Sequence, residues 1–150
     1  MEYCIVAFCT DQKDWISSLI RFATWDKFSH VALVSPDKTT VIESTHGIGV
    51  RRISFEMFLS RYCEEVELRL IPHPDPEQVW ARAESQVGKP YDDSFIYGWA
   101  FRRDKWQDPE KWACAELLAW AGEWFKDVAD LLSSISPRDL HLISKPFKEI

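Results

Sequence analysis

Apolar and polar residues along the chain change several times between the period of a strand and the period of a helix. Residues 3–10 form an apolar run of strand length, and residues 66–71 alternate apolar with charged side chains, as a half-exposed strand does. Two further strands, at 30–35 and 40–44, flank a Pro-Asp turn, and residues 50–53 are a candidate third. These segments predict a sheet of short strands.

Helical spacing occurs between and after the predicted strands. One short helix is predicted at residues 55–61. Asp11 or Asp14 can cap one further helix and Asp75 can cap another, and a short helix is predicted to begin near Ser136. Because the strands and helices do not alternate regularly, their order predicts an α+β fold with a mainly antiparallel sheet.

The stretch from residue 111 to residue 125, KWACAELLAWAGEWF, has a firm helical pattern. Its apolar residues recur at intervals of three and four, at Leu117, Leu118, Ala121 and Trp124. Cys114 then lies at or near the helix start, where unpaired amides and the helix dipole stabilise a thiolate, the nucleophilic form of cysteine. The alternative is that Cys114, flanked by two alanines, is a small buried core residue.

His30 and Glu43 are placed to meet across the predicted hairpin. If the turn at 36–38 reverses the chain, residues whose numbers sum to about 73 stand opposite one another, and these two satisfy that sum. A carboxylate directly opposite an imidazole can orient the ring and stabilise its positive charge. An imidazole held in this way is the base that a cysteine nucleophile needs. The alternative is a surface histidine and glutamate that meet without a catalytic role.

Other residues compete for or extend this site. His46, in the glycine-flanked loop after Glu43, is the strongest rival base, whereas His73 and His141 are expected to be solvated or structural. Tyr91 lies in a long connection before the cysteine, where its hydroxyl can assist the Cys114 amide in binding an oxyanion, or its ring can pack over the core. The predicted oxyanion or substrate-binding residues are Tyr91, Trp112 and Ser29.

Composition narrows the classes of function. With 150 residues, residues 1–150 are expected to form one domain, and the net charge of -6 argues against a nucleic-acid partner. The start of the chain resembles neither a secretory signal nor a membrane span, so we expect a cytoplasmic protein unless another system exports it. The four cysteines lack metal-ligand spacing, so we expect reduced thiols, no metal and no cofactor.

The order of five short motifs resembles a known family. The chain carries, in sequence, FSHVALV, VIES, GKPYD, WACAELLAWA and ISPRDL. This order is similar to that of the circularly permuted NlpC-type papain-like cysteine hydrolases, the YiiX/YebB-like group, from about residue 17 to residue 147. The resemblance implies a permuted papain-like fold, in which a small, barrel-like antiparallel sheet carrying the base packs against the helix that carries the nucleophile.

The resemblance also implies residue roles and an activity. Cys114 matches the nucleophile, His30 the base, Glu43 the third polar residue and Tyr91 the tyrosine near the substrate, while Ala115 replaces a serine that is frequent in the family. Relatives are similar to amidases and endopeptidases, so we expect cleavage of an amide bond in a cell-wall-type peptide. The alternatives are a lipid acyl hydrolase, thioesterase or acyltransferase acting on an acylated small molecule, or an inactive binding module. The oligomeric state does not follow from the sequence.

Overall fold

A computed structural model describes residues 2–10, 27–62, 65–92, 110–127 and 135–148. Along these ranges the elements are β1 (Glu2–Cys9), β2 (His30–Val34), β3 (Thr40–Thr45), β4 (Gly49–Ser54), α1 (Phe55–Arg61), β5 (Val66–His73), α2 (Pro76–Glu84), α3 (Cys114–Gly122), α4 (Pro137–Leu142) and β6 (Lys145–Pro146). The predicted α+β class is confirmed. The predicted helix after Asp11 or Asp14, Cys63 and most of the connection after Tyr91 lie outside the described residues.

One six-stranded antiparallel sheet organises these elements in the order β4-β3-β2-β1-β5-β6. The apolar run of β1 occupies an interior position, where Cys9 pairs with His30 of β2 and Glu2 pairs with His73 of β5. A strand covered on both faces reads as a continuous apolar segment, which explains the pattern of β1. His73 therefore ends a strand rather than lying in a solvated turn.

The two faces of the sheet bury different residues and carry different helices. Cys4 packs in the core formed with α2, α3 and α4, whereas Cys9 packs in the core formed with Phe58 of α1. Five positions separate these two cysteines, and an odd spacing along a strand places side chains on opposite faces. None of the helices in the described ranges combines the length and the apolar character needed to cross a membrane.

The β2–β3 hairpin differs in register from the prediction. Leu33 pairs with Ile42, where the predicted register would pair it with Thr40. The cause is the loop, because the amide of Ser35 donates to the carbonyl of Thr40 at 2.9 Å and the chain reverses over more residues than the predicted turn. The shift of two residues keeps every side chain on its predicted face, since the side-chain period of a strand is two.

The β3–β4 hairpin depends on Gly49. Its φ of +95° lies in the left-handed region, and a Cβ there would collide with the carbonyl oxygen of Lys89. This close approach lets the amide of Val50 donate to the Lys89 carbonyl at 2.8 Å, while the amide of Gly88 donates to the Val50 carbonyl at 2.9 Å. The edge of β4 is thereby joined to the segment that leads to Tyr91.

Candidate active site

The imidazole of His30 is the centre of a buried polar cluster. His30 is 6% exposed, and its ring stacks on Tyr62 with centroids 5.1 Å apart and planes inclined by 25°. Its Nε2 donates to Oε2 of Glu43 at 2.6 Å. In the observed register the two residues are diagonal rather than directly opposite neighbours, a spacing that long side chains bridge. The predicted contact is therefore present, although the predicted pairing was wrong.

Glu43 is held at both oxygens. Oε1 accepts a hydrogen bond from Nε of Arg51 at 2.8 Å and forms an ion pair with Nη2 of the same guanidinium at 2.7 Å, while Oε2 accepts from His30 and, at 3.2 Å, from the hydroxyl of Tyr62. The side chain of Glu43 has no exposed surface. Burial would raise its pKa, but the hydrogen bonds and charges of His30 and Arg51 lower the pKa to about 2. Glu43 is thus a carboxylate at neutral pH.

Cys114 completes the cluster from the other side of the imidazole. It is the first residue of α3, is 4% exposed, and its sulfur lies close enough to the His30 imidazole to raise the pKa of that ring. Because Nε2 is occupied by Glu43, Nδ1 is the ring nitrogen that remains for the thiol. Burial would lower the pKa of His30, but its hydrogen bonds with Cys114 and Glu43 and their negative charges raise that pKa to about 10. The cluster therefore favours an imidazolium beside the cysteine.

The segment before Cys114 is fixed by main-chain contacts. The amide of Trp112 donates to the Pro90 carbonyl at 3.1 Å, and the amide of Asp92 donates to the Trp112 carbonyl at 3.3 Å. The hydroxyl of Ser44 donates to the same Trp112 carbonyl. Ser44 follows Glu43 in β3, so the two side chains point to opposite faces of the sheet. Glu43 binds His30 on one face, and Ser44 binds the segment before Cys114 on the other.

The predicted oxyanion and substrate-binding residues are all buried. Tyr91 is 8% exposed, and its ring meets His46 edge-on with centroids 5.8 Å apart. The indole nitrogen of Trp112 donates to Oε1 of Gln86 at 3.0 Å, which ties the ring to the turn after α2. Ser29 is buried, and its amide donates to the Cys9 carbonyl at 3.2 Å. Their roles toward a substrate stay predictions.

Two members of the cluster were missed by sequence reasoning. Arg51 stands directly opposite Glu43 in the β3–β4 pairing, and Tyr62 follows the last residue of α1. The loop of His46 and Gly47 does signal a tight reversal between β3 and β4, and that reversal would have paired Glu43 with Arg51. Tyr62 has no comparable local signal, because a helix separates it from the strands it contacts.

The sequence matches no protein-family model and no curated protein. Among solved structures, the fold is similar to the crystal structure of the metalloprotein YiiX from Escherichia coli O157:H7, with a TM-score of 0.60 and 17% sequence identity. The match covers 87% of this chain and 67% of the YiiX chain. This chain has a YiiX-like fold. Membership of the permuted NlpC-type, papain-like branch stays a prediction, because similarity at this identity concerns the fold alone.

Proposed function

We propose that this protein is a cysteine hydrolase in which Cys114 is the nucleophile, His30 transfers the proton and Glu43 orients the imidazole. The observation that carries the proposal is the buried His30 ring, which lies beside the Cys114 thiol and is hydrogen-bonded through Nε2 to the Glu43 carboxylate at 2.6 Å. A nucleophile, a base and a group that orients the base form the arrangement that such catalysis requires. The YiiX-like fold is compatible with this proposal but supplies no activity of its own.

The first chemical step is acylation. The Cys114 sulfur, having given its proton to His30, attacks a carbonyl carbon, and the electron pair of the C=O bond moves to the oxygen. Amides at the start of α3 face that oxygen, because the first amides of a helix have no partner within the helix. The imidazolium then protonates the leaving amine or alcohol as its bond to carbon breaks, which leaves a thioester on Cys114.

The second step is hydrolysis of the thioester. Acylation removes both the thiol hydrogen bond and the negative sulfur that raise the pKa of His30, so that pKa falls in the acyl-enzyme. The neutral imidazole now accepts a proton from water, whose oxygen attacks the thioester carbon. The sulfur leaves as the thiolate beside the imidazolium, and the acid product departs. Glu43 serves both steps because it favours the imidazolium without taking its proton.

The first candidate substrate is an amide in a cell-wall-type peptide, and the competing class is an acylated lipid or thioester. Purified protein is incubated with each class, and the products and any acyl adduct on Cys114 are identified by mass spectrometry. We expect loss of one class and an adduct on Cys114, both absent from Cys114→Ala but retained in Cys4→Ala, which removes a thiol buried elsewhere in the sheet. Turnover that survives in Cys114→Ala would disprove the proposal. Absence of turnover with every substrate would favour the binding module.

YiiX is described as a metalloprotein, so metal binding is an alternative use of these side chains. Among the described residues of this chain, no three His, Cys, Asp or Glu side chains are grouped as ligands would be. Both oxygens of Glu43 and Nε2 of His30 are already engaged by protein partners. These donors do not fit a metal site, so no step of the proposed reaction involves a metal ion.

A further inference from the structure

We propose that Arg51 is a positioning residue, which acts through Glu43 to keep the His30 ring charged and aligned with Cys114. This inference rests on the proposed function, since it concerns how the same cysteine is activated. Arg51 touches neither the thiol nor, by its contacts in the structure, the imidazole. Its hydrogen bond and its ion-pair contact in the cluster both go to Oε1 of Glu43.

The two carboxylate oxygens of Glu43 bind different partners. Arg51 lies directly across from Glu43 on β4, where its Nε donates to Oε1 at 2.8 Å and its Nη2 forms an ion pair with the same oxygen at 2.7 Å. Oε2 is left to the imidazole of His30. A glutamate has three rotatable side-chain bonds, so a donor with two N–H groups fixes the carboxylate far better than one contact would.

The charge of Arg51 matters as much as its shape. Glu43 has no exposed surface, and a buried carboxylate without a cation tends to take up a proton. Without Arg51, Glu43 would take up a proton from solution more readily. A neutral carboxyl no longer favours the imidazolium, so the proton that His30 received from Cys114 would return to the sulfur and leave a neutral imidazole beside a thiol. Loss of Arg51 from β4 would thus make Cys114, at the start of α3, less reactive.

The neighbouring Arg52 provides a matched control. It carries the same charge on the same strand but points to the opposite face, where it pairs with Glu84 and lies over the ring of Trp80. Arg52→Met therefore removes the same charge from β4 without touching Glu43. Arg51→Lys is the second control, because an ammonium keeps the charge but lacks the planar fork of the guanidinium.

The experiment measures the rate at which iodoacetamide alkylates Cys114 in the native protein near neutral pH. The variants are Arg51→Met, Glu43→Gln, the double variant, Arg51→Lys and Arg52→Met. We expect Arg51→Met to lower the rate about tenfold, equivalent to about one pKa unit in the thiol–imidazole equilibrium. We expect no further loss from Arg51→Met when Glu43→Gln is already present, because the effect passes through that carboxylate.

Three further results complete the test. Arg51→Lys should have an intermediate rate, Arg52→Met should react like wild type, and the far-downfield proton signal of the short His30–Glu43 hydrogen bond should weaken in Arg51→Met. Independent, multiplicative losses in the double variant, or a wild-type rate in Arg51→Met, would overturn the inference. If Arg51→Met does not fold, a wild-type rate and an unchanged proton signal in Arg51→Lys would overturn it instead. A wild-type Cys114 no more reactive than Cys4 would refute the proposed function itself.

Discussion

Two histidine–glutamate pairs in the described part of the chain are built from the same residue types. His30 contacts Glu43, and His141 of α4 contacts Glu67 of β5. An arginine donates to each carboxylate, and each imidazole packs on aromatic rings. The supporting residues are Arg51 and Tyr62 in the first pair, and Arg69, Phe8 and Phe28 in the second.

Burial and geometry separate the two pairs. The side chains of His30 and Glu43 are 8% and 0% exposed and lie 2.6 Å apart, whereas those of His141 and Glu67 are 28% and 35% exposed and lie 3.4 Å apart. Charges shielded from water interact more strongly, and the first imidazole also has a thiol, Cys114, as its second partner. Residue type alone therefore does not distinguish the two pairs; their burial and the neighbouring thiol do.

The largest expected difference between the pairs concerns turnover. His30→Gln should lower the kcat/KM for a chromogenic ester such as p-nitrophenyl acetate by about 10³-fold, because general acid and base transfer is lost. His141→Gln should leave kcat/KM close to that of the wild type. Steady-state kinetics on both variants measure this contrast. Equal losses, or a larger loss in the His141 variant, would mean that the buried pair has no special role.

The next effect is the pH dependence of stability. Glu43 has a pKa of about 2 in the folded chain against an ordinary 4.5, so it should contribute about 3 kcal/mol above pH 4.5, and that contribution should disappear as the pH falls toward 2. His30 acts in the opposite direction. Its pKa is raised from 6.5 to about 10, so the stabilisation is complete below pH 6.5 and is lost as the pH rises through 10.

Urea unfolding across this range, with wild type and Glu43→Gln compared, tests the prediction. The difference in the free energy of unfolding between the two proteins should shrink as the pH falls from 4.5 toward 2. A constant difference would contradict a buried, ionised Glu43. The contributions of Glu43 and His30 arise from one interaction, so the two are not added.

A smaller effect is expected when the carboxylates are neutralised at neutral pH. Glu43→Gln should lower kcat/KM about 10- to 100-fold while the protein stays folded, because a carboxamide still accepts a hydrogen bond but does not charge the imidazole. Glu67→Gln should not change kcat/KM. Kinetics paired with circular dichroism distinguish loss of charge from loss of fold. Unchanged turnover in Glu43→Gln would remove Glu43 from the mechanism.

The smallest effect belongs to the exposed pair. Glu67→Gln should change the free energy of unfolding by at most about 1 kcal/mol, since water and salt weaken half-exposed ion pairs. The change should diminish further in high salt. Urea unfolding at low and high salt checks both statements, and a loss as large as that of Glu43→Gln would show that burial does not set the difference.

Local patterns predicted most of the described elements. The apolar stripe of residues 111–125 predicted a buried helix starting near Cys114, and α3 begins at that residue, with Leu117 and Leu118 fully buried. Trp124 lies beyond the helix end, because Glu123 adopts a left-handed conformation with φ of 51°. Period and capping are properties of neighbouring residues, so the sequence displays them directly.

The contacts of Glu43 were less predictable, because they depend on loops and on distant elements. The loop after Ser35 is longer than a tight turn, so His30 is a diagonal rather than an opposite neighbour of Glu43. Arg51 needs the register of a second hairpin, and Tyr62 needs the packing of α1 on the sheet. The loop length, the register of the second hairpin and the packing of α1 each depend on contacts between distant residues, which no short stretch of sequence specifies.

In the proposed mechanism, the imidazole of His30 keeps Cys114 in its reactive form. The most direct test is the alkylation rate of Cys114 in the native wild-type chain, mapped by mass spectrometry beside Cys4, whose pKa burial raises to about 12. We expect Cys114 to be labelled at least about tenfold faster than Cys4 near neutral pH, and we expect His30→Gln to remove this difference. Equal labelling of the two thiols, or labelling of Cys114 that does not depend on His30, would contradict this mechanism.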